Sequence, residues 1–230
     1  MESLIISCEH GGNQIPKPYQ SFFEGREELL ASHRGWDIGA LEVAKALSTG
    51  LKVKLYHATI SRLLVELNRS LHHPHLFSQI SKPLPQKEKS EILEAHYFPY
   101  RNTIMTAIEK EINDEKEVLH LSIHSFTPEL DGVVRNTDIG LLFDPIRKSE
   151  KKFCKKWKAE IKQGSSLKVR NNYPYKGTAD GFTTFLRKQF PEKYRGIELE
   201  INQQLLLSAE SKDLVINTLI SSLKRLSGTL

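Results

Sequence analysis

The stretch LIISCEHGGNQIP, residues 4–16, decides the fold that the sequence predicts. It begins as an apolar run and ends in polar residues, a glycine pair and a proline. A strand that is apolar on both faces is typical of the interior of an α/β sheet, and such sheets carry their ligand sites at the carboxyl ends of the strands. We therefore predict a buried first strand that leads directly into a site containing Glu9 and His10.

Apolar runs alternate with amphipathic stretches along the rest of the chain, which indicates helices that cover a sheet. We predict an α/β fold: one three-layer α/β/α domain over residues 1–230, with a mixed, mostly parallel sheet and a proline-containing loop over residues 71–86. Predicted strands cover residues 4–8, 51–58, 63–67, 118–124, 139–144, 166–170 and 196–201. Predicted helices cover residues 37–48, about 88–113, 147–163, 182–190 and 208–226, with Asp37 as an N-cap and Gly50 beyond the end of the first.

Composition limits the compartment and the partners that we expect. Two distant cysteines, Cys8 and Cys154, cannot form a disulfide framework, and no apolar segment is long enough to span a membrane, so we expect a cytoplasmic protein. The net charge is +5, and the lysines concentrate in residues 147–163. A charged run on a helix is usually a solvated face, so we expect no nucleic-acid partner. The positive field would favour small anionic substrates.

Polar side chains lie at or near the ends of three predicted strands, where loops begin. Glu9 and His10 follow the first strand, His124 follows a later one, and the carboxylates Glu198 and Glu200 lie in the last. Parallel strands bring such ends together at one edge of the sheet. Two imidazoles and a carboxylate, with one position left for water, are the ligands of a catalytic zinc site, and a further carboxylate can serve as the base.

Simpler interpretations stand beside this one. A histidine at a strand end is more often a hydrogen-bonded structural residue than a ligand, and Asp37 as an N-cap would use the oxygens that a metal needs. Cys8 and His10 share a strand face and could form a thiol nucleophile with its base, although a cysteine on an apolar strand is ordinarily inert. The HHPH segment, residues 72–75, is typical of a solvated loop. Signatures of serine hydrolases, HExxH metalloproteases and nucleotide-binding loops are missing.

Taken together, six ordered blocks resemble the N-formylglutamate amidohydrolase family. They are SCEHGGNQIP, HRGWDIGA, SRLLVELNRS, YFPYR, LSIHSFTP and GIELEINQ, and they extend from residue 7 to residue 204. The family is similar in fold to zinc carboxypeptidases and aspartoacylases. The resemblance implies a zinc-carboxypeptidase-like fold and hydrolysis of an amide bond by water that a bound Zn²⁺ activates.

The resemblance also implies a set of metal ligands. His10 and His124 resemble the two imidazole ligands, and Asp37 is the predicted carboxylate ligand, with Glu9 as the alternative. The carboxypeptidase pattern has a glutamate three residues after the first histidine, whereas this chain has Asn13.

Catalytic and substrate-binding roles follow from the same resemblance. Glu200 resembles the general base, with Glu198 as the alternative on the same strand face. The resemblance implies a small N-acyl amino acid as the substrate, with N-formyl-L-glutamate as the first candidate. Planar guanidinium groups suit recognition of a carboxylate on such a substrate. The alternatives are a carboxypeptidase-like or other N-deacylase activity, or a noncatalytic protein that binds anions or nucleic acid. The predicted substrate-binding residues are Arg62, Asn68, Arg69 and Arg135.

Overall fold

The computed structural model describes residues 2–227 of the chain. The domain predicted over residues 1–230 therefore includes residues 1 and 228–230, which lie outside the described part. The strands within that part are β1 (Glu2–Cys8), β2 (Leu55–His57), β3 (Glu117–Phe126), β4 (Glu129–Leu130), β5 (Val133–Val134), β6 (Ile139–Leu142), β7 (Val169–Asn171) and β8 (Tyr194–Asn202).

Six of these strands form one central sheet in the order β2-β1-β3-β8-β6-β7. Strands β2, β1, β3 and β8 are mutually parallel, whereas β6 pairs antiparallel with β8 and parallel with β7. The short strands β4 and β5 form a separate antiparallel pair. The register places His124 of β3 beside Glu200 of β8, near the carboxyl ends of both strands. The sheet is therefore mixed and mostly parallel, as predicted.

Helices cover both faces of the sheet. One face packs against α2 (Ala40–Leu51), α5 (Lys148–Gly164) and α7 (Ala209–Ser227) around a large apolar cluster that contains Trp157. The other face packs against α4 (Phe98–Asn113) and α6 (Phe182–Gln189) around Phe182. The predicted α/β class, with a sheet between helical layers, is confirmed. The helices are α1 (Glu27–Ala31), α2 (Ala40–Leu51), α3 (Gln86–Ile92), α4 (Phe98–Asn113), α5 (Lys148–Gly164), α6 (Phe182–Gln189) and α7 (Ala209–Ser227), with 3-10 turns at Lys17–Phe23 and Gln203–Leu206 and a π turn at Leu93–Tyr97.

The predicted strand over residues 63–67 is wrong. The amide of Leu64 donates to the carbonyl of Ser61 at 2.9 Å, and the segment forms turns rather than a ladder. Its leucines and valine are buried in a second apolar cluster that also contains Tyr97. A short apolar run is buried in either case, so its sequence alone does not distinguish a strand from a packed turn.

Two predicted boundaries around α2 are also wrong. The residue at the N-cap is Gly39, in a left-handed conformation with φ of 78°, and the side chain of Asp37 makes no capping bond. At the other end, Gly50 lies inside the helix, which ends where Lys52 adopts a positive φ of 57°. The predicted strand over residues 51–58 is consequently reduced to the three residues of β2.

No helix among residues 2–227 is both long enough and apolar enough to cross a membrane. The basic segment predicted as a helix is α5, which buries Phe153, Cys154, Trp157 and Ile161. Its lysines lie on the remaining surface, and most of them are exposed.

A buried ion pair links α5, α6 and β8, and it provides a test of the fold. The guanidinium Nε of Arg187 lies 2.9 Å from Oε1 of Glu150, and the exposed fractions of the two side chains are 5% and 0%. Because Arg187→Met leaves a buried carboxylate with Arg147 as its one remaining cationic partner, we expect a loss of about 3 kcal/mol in the free energy of unfolding. Urea denaturation measures it. The control Lys152→Met, on the exposed face of α5, should change stability by less than about 0.5 kcal/mol, and equal losses in both variants would contradict the prediction.

Candidate metal centre and active-site cleft

Three predicted ligands lie together at the carboxyl edge of the sheet. Oδ2 of Asp37 is 3.2 Å from Nδ1 of His10 and 2.8 Å from Nδ1 of His124. One ligand atom from each residue lies within 4.8 Å of the others, and all three residues are buried. Two imidazoles and one carboxylate can hold a divalent metal ion and leave a coordination position open.

The turn after β1 brings this cluster together. The amide of Asp37 donates to the carbonyl of His10 at 3.0 Å, which fixes the start of α2 beside the end of β1. A Cβ atom at Gly11 would lie 2.8 Å from the carbonyl oxygen of Ala58. Only glycine therefore allows the segment after β2 to pack against the residues that follow His10.

Each imidazole is supported from behind by a carboxylate. Nε2 of His10 contacts Oε1 of Glu66. Nε2 of His124 lies 2.8 Å from Oγ of Ser122, which donates to Glu9, and 3.4 Å from Oε2 of Glu9 itself. When Nε2 donates its proton in this direction, Nδ1 keeps its lone pair for a metal, and such outer partners orient metal-binding imidazoles in proteins. Glu9 thus lies behind a ligand, outside the three-residue cluster.

The charges of the centre also suit a divalent cation. Arg62 donates to Oδ1 of Asp37 at 2.8 Å and to Oε2 of Glu66 at 3.0 Å. Burial opposes ionisation of both carboxyls, but His10 and Arg62 hold their pKa values well below the usual range. The pKa of the buried Glu9 is also low, because of His124 and neighbouring hydrogen-bond donors. Asp37, Glu66 and Glu9 thus contribute three negative charges against the single positive charge of Arg62, and two negative charges remain to be balanced.

This excess negative charge affects the pKa values of the two imidazoles. Although burial disfavours protonation, neighbouring carboxylates raise the pKa of His10 and raise that of His124 well above its ordinary value. Two bound protons would balance the charge, and a divalent cation carries the same charge. Donor atoms and charge therefore both fit a divalent metal ion.

Glu200 lies beside this cluster and has a pKa suited to proton transfer. Burial raises the pKa of its carboxyl to about 7, with further contributions from Asp37 and Glu198 that His124 and Arg62 oppose. Its Oε2 atom is buried and has no hydrogen-bond partner within residues 2–227. A carboxyl that titrates near neutrality can both accept and release a proton. By contrast, Oε1 of Glu198 accepts a hydrogen bond from Thr183 at 2.7 Å.

A cleft of about 360 Å³ gives access to the metal cluster and to both glutamates. Of the four predicted substrate-binding residues, Arg62, Asn68 and Arg69 line this cleft, whereas Arg135 is not among the lining residues. Arg135 instead donates to the hydroxyl of Tyr175 at 3.0 Å, and Tyr175 lines the cleft. Arg135 therefore supports the wall of the cleft.

Sequence reasoning missed several residues of this site. Glu66 carried a usable signal, since a carboxylate in the apolar run LLVEL is costly to bury without a partner. Tyr175, Lys176 and Asp180 also line the cleft, on the loop before α6, and nothing in the local sequence distinguished them from ordinary loop residues.

The alternative nucleophile and the alternative histidine cluster do not fit the structure. Cys8 is fully buried in the core, and burial raises the pKa of its thiol well above the ordinary value, which disfavours the reactive thiolate. His72 and His75 are exposed and lie outside the metal-ligand cluster of the described residues.

Comparisons with known proteins identify the fold and the family of the chain. A gene product from Agrobacterium tumefaciens is 26% identical with a TM-score of 0.85, over 98% of this chain and 91% of that one. An N-formylglutamate amidohydrolase from Ralstonia eutropha is 18% identical with a TM-score of 0.72, over 98% of this chain and 93% of that one, which shows a shared fold. No curated protein sequence matches significantly. The model of the N-formylglutamate amidohydrolase family matches residues 2–207, so this chain belongs to that family of amidohydrolases.

Proposed function

We propose that the protein is a zinc-dependent amidohydrolase that cleaves the acyl bond of a small N-acyl amino acid, with N-formyl-L-glutamate as the first candidate. The observation that carries the proposal is the placement of an unpartnered buried carboxylate, Glu200, beside a cluster of two imidazoles and a carboxylate in one cleft. Membership of an amidohydrolase family supports the reaction class. The donor set supports zinc, which three such side chains commonly bind in catalytic sites.

His10, Asp37 and His124 would hold the metal, which when bound lowers the pKa of water and polarises a carbonyl group. Glu200 would accept a proton at Oε2 from the attacking water as the new bond to the acyl carbon forms. It would then pass that proton to the amide nitrogen as the carbon–nitrogen bond breaks, which yields a carboxylic acid and a free amine. Its buried environment keeps both protonation states accessible near neutral pH.

The remaining groups of the cleft would bind and orient the substrate. Two donors of Arg62 are already bonded to Asp37 and Glu66, so its main task would be to hold these carboxylates in place. Arg69 donates to the carbonyl oxygen of Asp180 and has no carboxylate partner within the described residues. We assign Arg69, with the neighbouring Asn68, to the carboxylate of the substrate, because guanidinium groups bind carboxylates through charge-assisted hydrogen bonds.

Metal analysis tests the proposed centre. Purified protein should contain about one zinc ion per chain, as a mononuclear catalytic site requires, and His10→Ala combined with His124→Ala should abolish binding. The matched control is His73→Ala with His75→Ala, which also removes two imidazoles but lies outside the cluster. Elemental analysis by mass spectrometry provides the measurement. Full occupancy in the first double variant would rule out this ligand set.

A substrate screen tests the reaction. N-acyl amino acids should be hydrolysed, and those with a free α-carboxylate should react better than their α-amides by on the order of 2 kcal/mol, about 30-fold in kcat/KM. Arg69→Gln should remove most of that preference, whereas Lys152→Gln, which removes the same charge far from the cleft, should keep it. Equal turnover of acids and amides would exclude a carboxylate contact, and no hydrolysis of any member would overturn the proposed function.

Replacing each glutamate of β8 separates the base from its neighbour. Glu200→Gln keeps the shape of the side chain but cannot accept a proton, so kcat should fall by roughly 10²-fold to 10⁴-fold with normal zinc content. The matched variant Glu198→Gln should have a milder effect, because Glu198 already accepts a hydrogen bond from Thr183. Steady-state kinetics and metal analysis on both variants check this. The reverse order of effects would identify Glu198 as the base.

A further inference from the structure

A second cavity, of about 390 Å³, lies apart from the cleft that contains Glu200. The two share no lining residue. Arg26 and Arg34 line the second cavity together with the apolar side chains of Phe22, Leu29 and Leu63. Its volume falls in the range of pockets that bind small molecules.

The two arginines are distinguished from the others by their lack of partners. The sequence contains eleven arginines. Within residues 2–227, nine of them form a side-chain hydrogen bond, an ion pair or a ring contact. Arg26 and Arg34 are the two to which the described part of the chain supplies none, and both line the same cavity. A single free surface arginine is ordinary, but two that line one cavity offer several donors to an anion there.

The apolar walls of the cavity are fixed by the core beneath them. Leu63 and Phe23 are buried members of the second apolar cluster, and Leu29 and Ile80 pack against it. The hydroxyl of Ser81 donates to the carbonyl of Leu63 at 3.0 Å, which ties the segment carrying Ile80 to the opposite wall. The cavity therefore presents apolar groups from Leu29, Leu63 and Ile80 beside the two arginines, and its lining is completed by the exposed Phe22 and by the polar side chains of Ser78 and Gln79.

The backbone segments that carry Arg34 and Leu63 also position residues at the metal-ligand cluster. Arg34 precedes Asp37 by three residues, and Leu63 directly follows Arg62. The amide of Arg62 and the hydroxyl of Ser61 both bind the carbonyl of Gly35, at 3.1 Å and 3.0 Å. A ligand in the cavity would thus contact the two segments that position Asp37 and Arg62, without entering the cleft.

We infer that this cavity is a second binding site, separate from the catalytic cleft, for a small organic carboxylate with an apolar body. The forked guanidinium groups suit the two oxygens of a carboxylate, and Phe22 and the leucines suit an aromatic or branched apolar group. Phosphate alone would leave the apolar walls without a contact. This inference does not depend on the proposed hydrolysis.

Benzoate is the probe, with benzamide as its neutral counterpart of similar shape. Titration calorimetry on the purified full chain should detect saturable benzoate binding, and Arg26→Gln and Arg34→Gln should each weaken it by roughly 10-fold or more. Benzamide should bind correspondingly more weakly. Trp36, whose indole donates to the carbonyl of Ala31 at 3.3 Å, lies two residues from Arg34 and should report binding through its fluorescence.

Two controls separate the cavity from the catalytic cleft. Arg69→Gln, which removes a cation from the cleft, and Lys152→Gln, which removes a distant surface charge, should leave the affinity for benzoate unchanged. Because Arg26 and Arg34 are exposed, their variants should unfold at the same temperature as the parent chain. Absence of saturable binding, or binding that Arg69→Gln abolishes while Arg26→Gln and Arg34→Gln retain it, would overturn the inference.

Discussion

The carboxylate of Asp37 is the contact on which the site depends. Its Oδ2 atom faces the imidazoles of His10, in the turn after β1, and of His124, in the neighbouring strand β3, and its Oδ1 atom accepts from Arg62. One side chain thus joins the edge of the sheet, the start of α2 and the turn segment that follows β2. For this reason Asp37 does not cap the helix, and a glycine with positive φ occupies the cap position instead.

Strand register supplies the second requirement of the site. Pairing of β3 with β8 sets His124 directly beside Glu200 and Ser122 beside Glu198. A shift of one residue would turn every side chain of β8 to the opposite face, so a base on this strand needs that register. The apolar core on both sheet faces fixes it, because the buried residues of β3 and β8 would otherwise be displaced into the wrong layer.

Some of this arrangement could be predicted from the sequence, for a physical reason. The histidines lie at the ends of apolar strands, and parallel strands place such ends at one edge whatever their separation along the chain. This rule does not place Glu66, because its segment LLVEL resembles a strand in sequence but forms a packed turn in the structure. The role of Arg62 depends on partners 25 and 4 residues away in different segments, and only the folded chain determines which of several arginines meets them. For Arg135 the apolar neighbourhood does not indicate burial, because Val133 and Val134 are exposed and the guanidinium donates to the hydroxyl of Tyr175.

The charged groups of the metal-ligand cluster also make the stability of the protein depend on pH. The pKa values of His10 and His124 are raised, so the stability that their protonation contributes is complete below their ordinary value of 6.5 and is lost as pH rises through the higher folded-state values. The pKa values of Asp37 and Glu66 are lowered, so their contribution is present above the ordinary values of 3.8 and 4.5 and is lost as pH falls. With only the ionisable groups of the chain considered, the histidine and carboxylate contributions to stability are both present from mildly acidic pH up to the raised pKa values of the two histidines. A metal ion needs the same Nδ1 atoms in deprotonated form, so proton and metal would compete for one pair of imidazoles, with rising pH favouring the metal.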